Sequence, residues 1–193
     1  MNAAITLGKD TELVEKLDRE LLGNLKWLAE QLEKLGGLKN DKITASIALR
    51  HAIAMDALLL DEMGAKSRIL IKRQTGKITE ININRESLDC FQQNFAEDII
   101  EKVDSEIIQA KFEPEIVGNL KWVAEKLEAI CSLDANSVRL PIAMRHAIAM
   151  DAMMLDEMTS KSKILIKKEG GGIKEIKIDG ESIRKFKENF AIR

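Results

Sequence analysis

Tyrosine is absent from this chain, histidine and tryptophan occur twice each, and aromatic residues make up only 4 % of its 193 positions. Cysteine and proline are equally scarce, at two apiece. Each shortage excludes something. The side chains that most often move protons or attack carbonyls in enzymes are nearly exhausted, which argues against catalysis. Cys90 and Cys131 sit at unrelated points with no CxxC spacing, so free thiols in a reducing compartment are expected rather than a disulfide or a zinc site. No apolar run approaches the ~18 residues that would mark a membrane span. The first residues, MNAAITLGKD, show neither the basic start nor the apolar stretch of a secretory signal, and a cytoplasmic location is the expectation. The patterns GxGxxG, GxxxxGK[ST], HExxH and GxSxG are all missing. Gly170-Gly171-Gly172 matches a phosphate loop only in composition and falls where a hairpin turn is expected. The expectation is a non-enzyme that carries no cofactor and no metal.

Basic excess is missing too. Thirty basic residues face 32 acidic ones, for a net charge of −2. Nucleic-acid binding draws most of its affinity from phosphate neutralisation and normally shows as a basic domain. Any DNA contact here must come from local patches. Hydrophobic residues at 45 % and charged ones at 32 % describe a well-cored globular chain.

What the chain does have is a repeat. Shifted by 95 positions without a gap, residues 12–98 match residues 107–193 at 43 of 87 places. GNLKWLAEQLE (Gly23 to Glu33) falls on GNLKWVAEKLE (Gly118 to Glu128), and RHAIAMDA occurs identically at Arg50 to Ala57 and Arg145 to Ala152. The expected organisation is a first copy over 1–98, a connecting segment over 99–106 and a second copy over 107–193. That segment holds no Gly or Pro and is expected to continue a helix.

Each copy carries the same succession of patterns. A short extended piece comes first. A helix follows whose apolar stripe is Leu21, Leu25, Leu28, Leu32 and Leu35, or Ile116, Leu120, Val123, Leu127 and Ile130. A second helix spans about Ile43 to Met63, and Pro141 lies near the start of its counterpart, where a missing N–H costs little. Two β-branched runs around a turn then predict a hairpin, SRILIK–RQTG–KITEINI or SKILIK–KEGG–GIKEIKI. A short helix closes each copy, capped by Asn84 or Asp179 and carrying Phe91 and Phe95, or Phe186 and Phe190. The fold class is α+β: an internal tandem duplication whose copies each read strand, helix, helix, β-hairpin, short helix, packed as a pseudo-twofold pseudo-dimer. The first-helix stripe of each copy should bury against both second helices, and Ile47, Ala54 and Leu58 should make those second helices the most buried elements.

The repeated RHAIAMDA is the natural place to seek chemistry. His51 and Asp56 are five apart, so on a helix they diverge by about 140° and form no dyad within a copy. A site joining His51 to His146 is one reading, and a partly exposed imidazole beside Arg50 and Glu62 is the plainer one. Asp56 falls inside an apolar arc, and a buried carboxylate requires hydrogen bonds or a counter-charge. Asp56 and Asp151 are therefore read as buried structural polar residues bonded to backbone N–H groups or a Trp indole. Gly23 and Gly118, one turn before Trp27 and Trp122, predict a close backbone approach, because glycine inside a helix costs ~1 kcal/mol relative to alanine.

The opening of each copy, clearest as IIQAKFEPEIVGNLKWVAEKL followed by LPIAMRHAIAMDAMMLDEM, resembles the ribbon-helix-helix family of DNA-binding regulators, in a divergent and tandemly duplicated form. The resemblance implies two strands paired into an antiparallel ribbon over four intertwined helices, with both halves supplied by one chain. It implies that Ile107, Gln109 and Lys111, with Glu12, Val14 and Lys16 in the first copy, face the DNA major groove. Lys161, Lys163, Lys167 and Lys168 near the second hairpin would assist. The alternative expectation is a protein-interaction or adaptor module without nucleic-acid binding, whose Met150, Met153, Met154 and Met158 offer an adaptable apolar surface. The composition leaves self-association open.

Overall fold

The computed structural model describes residues 5–6, 14–17, 19–38, 42–94 and 108–191, with side chains described over 20–38, 42–93 and 112–189. The described elements run β1 (Ile5–Thr6), β2 (Val14–Leu17), α1 (Arg19–Gly36), α2 (Ala45–Gly64), β3 (Arg68–Lys72), β4 (Ile78–Ile81), α3 (Arg85–Asn94), β5 (Ile108–Lys111), α4 (Pro114–Cys131), α5 (Leu140–Thr159), β6 (Lys163–Lys167), β7 (Ile173–Ile176) and α6 (Gly180–Ala191). The class is α+β. Residues 99–106 and Ile107 lie outside the described set, as does Glu12.

Local chemistry sets the helix starts. The Ile47 N–H donates to Thr44 Oγ1 at 3.3 Å and opens α2. Pro114 and Pro141 stand in the first turns of α4 and α5, where no intrahelical donor is needed. The α3 start is a reciprocal cap: the Ser87 N–H donates to Asn84 Oδ1 at 2.8 Å, and the Asn84 N–H donates back to Ser87 Oγ at 3.0 Å. Asp179 and Ser182 repeat the device at α6, both bonds being 2.9 Å. The Ser182 backbone N–H holds the Asp179 carboxyl below its ordinary range. The loops between paired helices are pinned by acceptors that sequence reading did not single out. The Ile43 N–H donates to Glu33 Oε1 at 2.6 Å, and the Val138 N–H to Glu128 Oε1 at 2.9 Å.

One apolar core spans both halves. Leu21, Leu25, Leu28 and Leu32 of α1 and Ile116, Leu120, Val123 and Leu127 of α4 are buried in it, together with Leu49, Ile53, Met144 and Ile148 of α2 and α5. Each of α1 and α4 packs against both α2 and α5. Phe112, the residue after β5, is 1 % exposed and ties that strand to the helices.

A second core joins the helices to a sheet of order β4-β3-β6-β7. Ile69, Ile71, Ile164 and Ile166 turn inward against Leu59 and Met154, with Met150, Met153 and Met158 packed around them. Met154 is buried against the sheet, while Met150, Met153 and Met158 pack around it half-buried. The opposite sheet face carries Arg68, Leu70 and Lys72 beside Lys163, Leu165 and Lys167.

Both sheets have a register that maps onto itself under a shift of 95 positions. Leu70 pairs with Leu165, its own counterpart, and Arg68↔Lys167 is answered by Lys72↔Lys163. In the other sheet, β2 and β5 run antiparallel with Glu15 opposite its counterpart Ala110, and Lys16↔Gln109 is answered by Val14↔Lys111. β1 adds to β5 in parallel.

Two expectations fail. Among the described residues a Cβ on Gly23 or Gly118 would meet nothing within 4 Å, so none of their backbone approaches there. Ala54 and Leu58 are exposed, Leu58 at 37 %, because the buried side of α2 is narrower than its apolar composition suggests. The close glycine contact lies elsewhere. A Cβ on Gly180 would come 2.4 Å from the Gly36 carbonyl oxygen, where the end of α1 meets the start of α6.

Candidate functional site

Two regions collect the candidate residues, at opposite ends of α2. Near its N-terminal end, Arg50 forms an ion pair with Glu113 and lies 3.6 Å from Glu115, the residues that follow β5. The four-stranded sheet begins just beyond Gly64, about 20 Å further along the helix at 1.5 Å per residue. The β2–β5 ribbon and the sheet lysines are therefore separate surfaces.

In the ribbon, Lys16 and Gln109 are register partners, and Val14 stands opposite Lys111. Alternation places these four positions on one ribbon face, with Glu15 and Ala110 on the other. The expectation grouped Lys16, Gln109 and Lys111, and the register brings them together.

The other lysines divide. Lys163 donates to Glu175 at 3.0 Å and Lys167 stands opposite Arg68, so both belong to the outward sheet face. Lys168 reaches across the halves to both oxygens of Glu62 at 2.6 Å. Its ammonium holds the Glu62 carboxyl below its usual range. Arg73 does the same to Glu157, the counterpart carboxylate. Lys168 is thus committed to a structural bridge. Lys161 is exposed at the end of α5, with φ of 61°.

The repeated motif resolves into a pair of cross-half contacts. His51 on α2 donates Nδ1–H to Oδ2 of Asp151 on α5 at 2.9 Å. His146 on α5 donates to Oδ2 of Asp56 on α2 at 3.0 Å. Both aspartates are 0 % exposed and both histidines 6 %. The partly exposed imidazole expected of His51 is overturned, as is the expectation of a backbone or indole donor for Asp56 and Asp151. The physical reason is that each carboxylate is desolvated at the seam between α2 and α5, where the facing helix presents an imidazole. Each ring also meets a phenylalanine of a terminal helix edge-on: His51 with Phe186 at 5.4 Å between centroids, His146 with Phe91 at 5.7 Å.

A carboxylate on Nδ1 fixes the tautomer and orientation of an imidazole and leaves Nε2 for another partner. Among the described residues, Oδ1 of each aspartate is buried with no hydrogen bond. Among the described residues no group of three or more histidine, cysteine, aspartate or glutamate side chains is placed to hold a metal ion, and no helix is long and apolar enough to cross a membrane. Cys90 is exposed, whereas Cys131 is buried and its thiol is pushed up by that burial. No family model, curated protein or solved structure matches the chain.

Proposed function

We propose that this chain is a non-enzymatic regulator that binds duplex DNA through the β2–β5 ribbon, as a single-chain pseudo-dimer produced by tandem duplication of a ribbon-helix-helix unit. The observation that carries the reading is the ribbon register. Two strands, one near the start of the chain and one at its middle, pair antiparallel about Glu15 and Ala110, and Lys16, Gln109, Val14 and Lys111 share a face. The antiparallel β2–β5 pair, with β1 alongside β5 as a third strand, would present this face to the major groove, where glutamine reads adenine edges and lysine takes guanine or phosphate. The helices behind it form one core drawn from both halves, the support such a ribbon needs. The halves supply unlike residues, so the favoured site is asymmetric rather than palindromic.

The test is a mobility shift on duplex DNA across a salt series. Binding at 50 mM salt that weakens steeply as salt rises, and is reduced in Lys16→Ala and Lys111→Ala, is the expected result. Absence of binding at 50 mM, or affinity indifferent to salt, rejects the reading.

The alternative, a protein-interaction module, is favoured by a different surface. Ile78 and Ile173 on the open sheet face are 56 % and 64 % exposed beside Arg68, Lys72, Lys163 and Lys167. An acidic protein surface suits that face, and loss of partner capture in Ile78→Glu with DNA binding intact would assign it.

A further inference from the structure

The copies differ most usefully beside the two histidines. Against His51 the structure has a groove of about 450 Å³ between α2, β7 and α6, with walls of Met55, Leu58 and Phe186 and a rim containing Lys174 and Lys177. That volume lies within the ~300–1,000 Å³ of small-molecule sites, and an apolar lining with a few polar groups is their usual make-up. Among the described residues His51 Nε2 has no hydrogen-bond partner, although the ring is 6 % exposed and its other nitrogen is held by Asp151. His51 lines this groove with Nδ1 already held by Asp151, which leaves its second nitrogen available to a ligand.

Charge at the rim gives the ligand's sign. Glu175 is the one acidic residue among the groove's lining residues, and it is held by Lys163 at 3.0 Å. Lys174 lies on the inner side of edge strand β7, paired with Ile166. Shifting by 95 positions, Thr79 stands where Lys174 does and Asn82 where Lys177 does. The histidine, the phenylalanine and the apolar wall recur in the other half; the two cations do not.

We propose that this groove binds one small amphipathic carboxylate per chain. Asp151 holds His51 through Nδ1, leaving Nε2 to the polar end of the ligand, and the nearby lysines draw its carboxylate. The apolar tail lies along Met55, Leu58 and Phe186. Because the His51–Asp151 contact joins α2 to α5, occupancy acts directly on the seam between the halves. This inference does not rest on DNA binding, and its test contains no DNA.

The chain has only two histidines, so their ring signals in nuclear magnetic resonance report the groove at His51 separately from the equivalent position at His146. Sodium octanoate is titrated into the full-length protein, with 1-octanol as the uncharged control, and stoichiometry is read by calorimetry. The expected result is a saturable shift of the His51 signals at one equivalent while those of His146 stay still. Lys174→Glu should weaken octanoate about tenfold, or 1.4 kcal/mol. Leu58→Trp, at a site 37 % exposed, should block the groove while leaving the melting temperature near wild type. Equal shifts at both histidines, octanol binding as tightly as octanoate, or no saturable binding overturns the proposal.

Discussion

His51 and Asp151 lie 100 positions apart in sequence and 2.9 Å apart in space, and the bond between them crosses from one half of the molecule to the other. His146 and Asp56 form the same contact in the opposite sense. Removing one member of a buried hydrogen-bonded pair leaves its partner unsatisfied, at a cost of ~1–3 kcal/mol. Asp151→Leu and His51→Leu should each lower stability by that order, and the double variant should lose clearly less than the sum. Chemical denaturation of the two single variants and the double one measures the coupling, and additive losses would mean that the contact contributes nothing. Asp56→Asn should be milder than Asp56→Leu, because the amide oxygen still accepts from His146.

The glycines give opposite expectations. Gly118→Ala adds a methyl where nothing lies within 4 Å, on a helix whose propensity it improves, and should stabilise by ~0.5–1 kcal/mol. Gly180→Ala drives a Cβ into the Gly36 carbonyl and should destabilise by ~1–3 kcal/mol as α6 shifts away from α1. Thermal melts distinguish the two in a single experiment.

Acid should loosen the molecule through its cross-half bridges. Lys168 lowers the folded-state value of Glu62, and Arg73 that of Glu157, from the ordinary 4.5. A carboxyl depressed on folding contributes stability that is complete above its unfolded value and is lost as pH falls through its folded one. Wild type and the Glu62→Gln/Glu157→Gln variant should therefore differ most near neutrality and converge below pH 4.5. A constant gap from pH 7 to pH 3 would show that the bridges have no energetic role.

Much of the fold was legible because its signals are local. The leucine stripe of α1, the β-branched hairpins and the Asn84 and Asp179 caps all act within a few residues, and periodicity or capping chemistry exposes them. The site was only half legible. A carboxylate in an apolar arc marked Asp56 and Asp151 as buried, but their partners stand on the facing helix and no within-helix spacing reveals that. One clue was available: two buried acceptors needed donors, and the chain has only two histidines, both in the same motif. Gly23 and Gly118 misled for the opposite reason. Their occurrence in both repeats suggested a contact, whereas the approach that does need glycine pairs Gly36 with Gly180, whose counterparts are Cys131 and Arg85.

Under the proposed tandem duplication, the self-mapping register about Leu70 and Leu165 has an evolutionary consequence. In an assembly of two identical chains every substitution is made twice, so equivalent positions can never differ. A single chain escapes that constraint. Lys174 and Lys177 could arise on one side while Thr79 and Asn82 stood on the other, with the shared strands still in step. It also makes the partner strand a permanent neighbour at very high local concentration, so assembly of the central sheet should not depend on dilution. Symmetry here is kept where the backbone needs it and abandoned where side chains meet the outside.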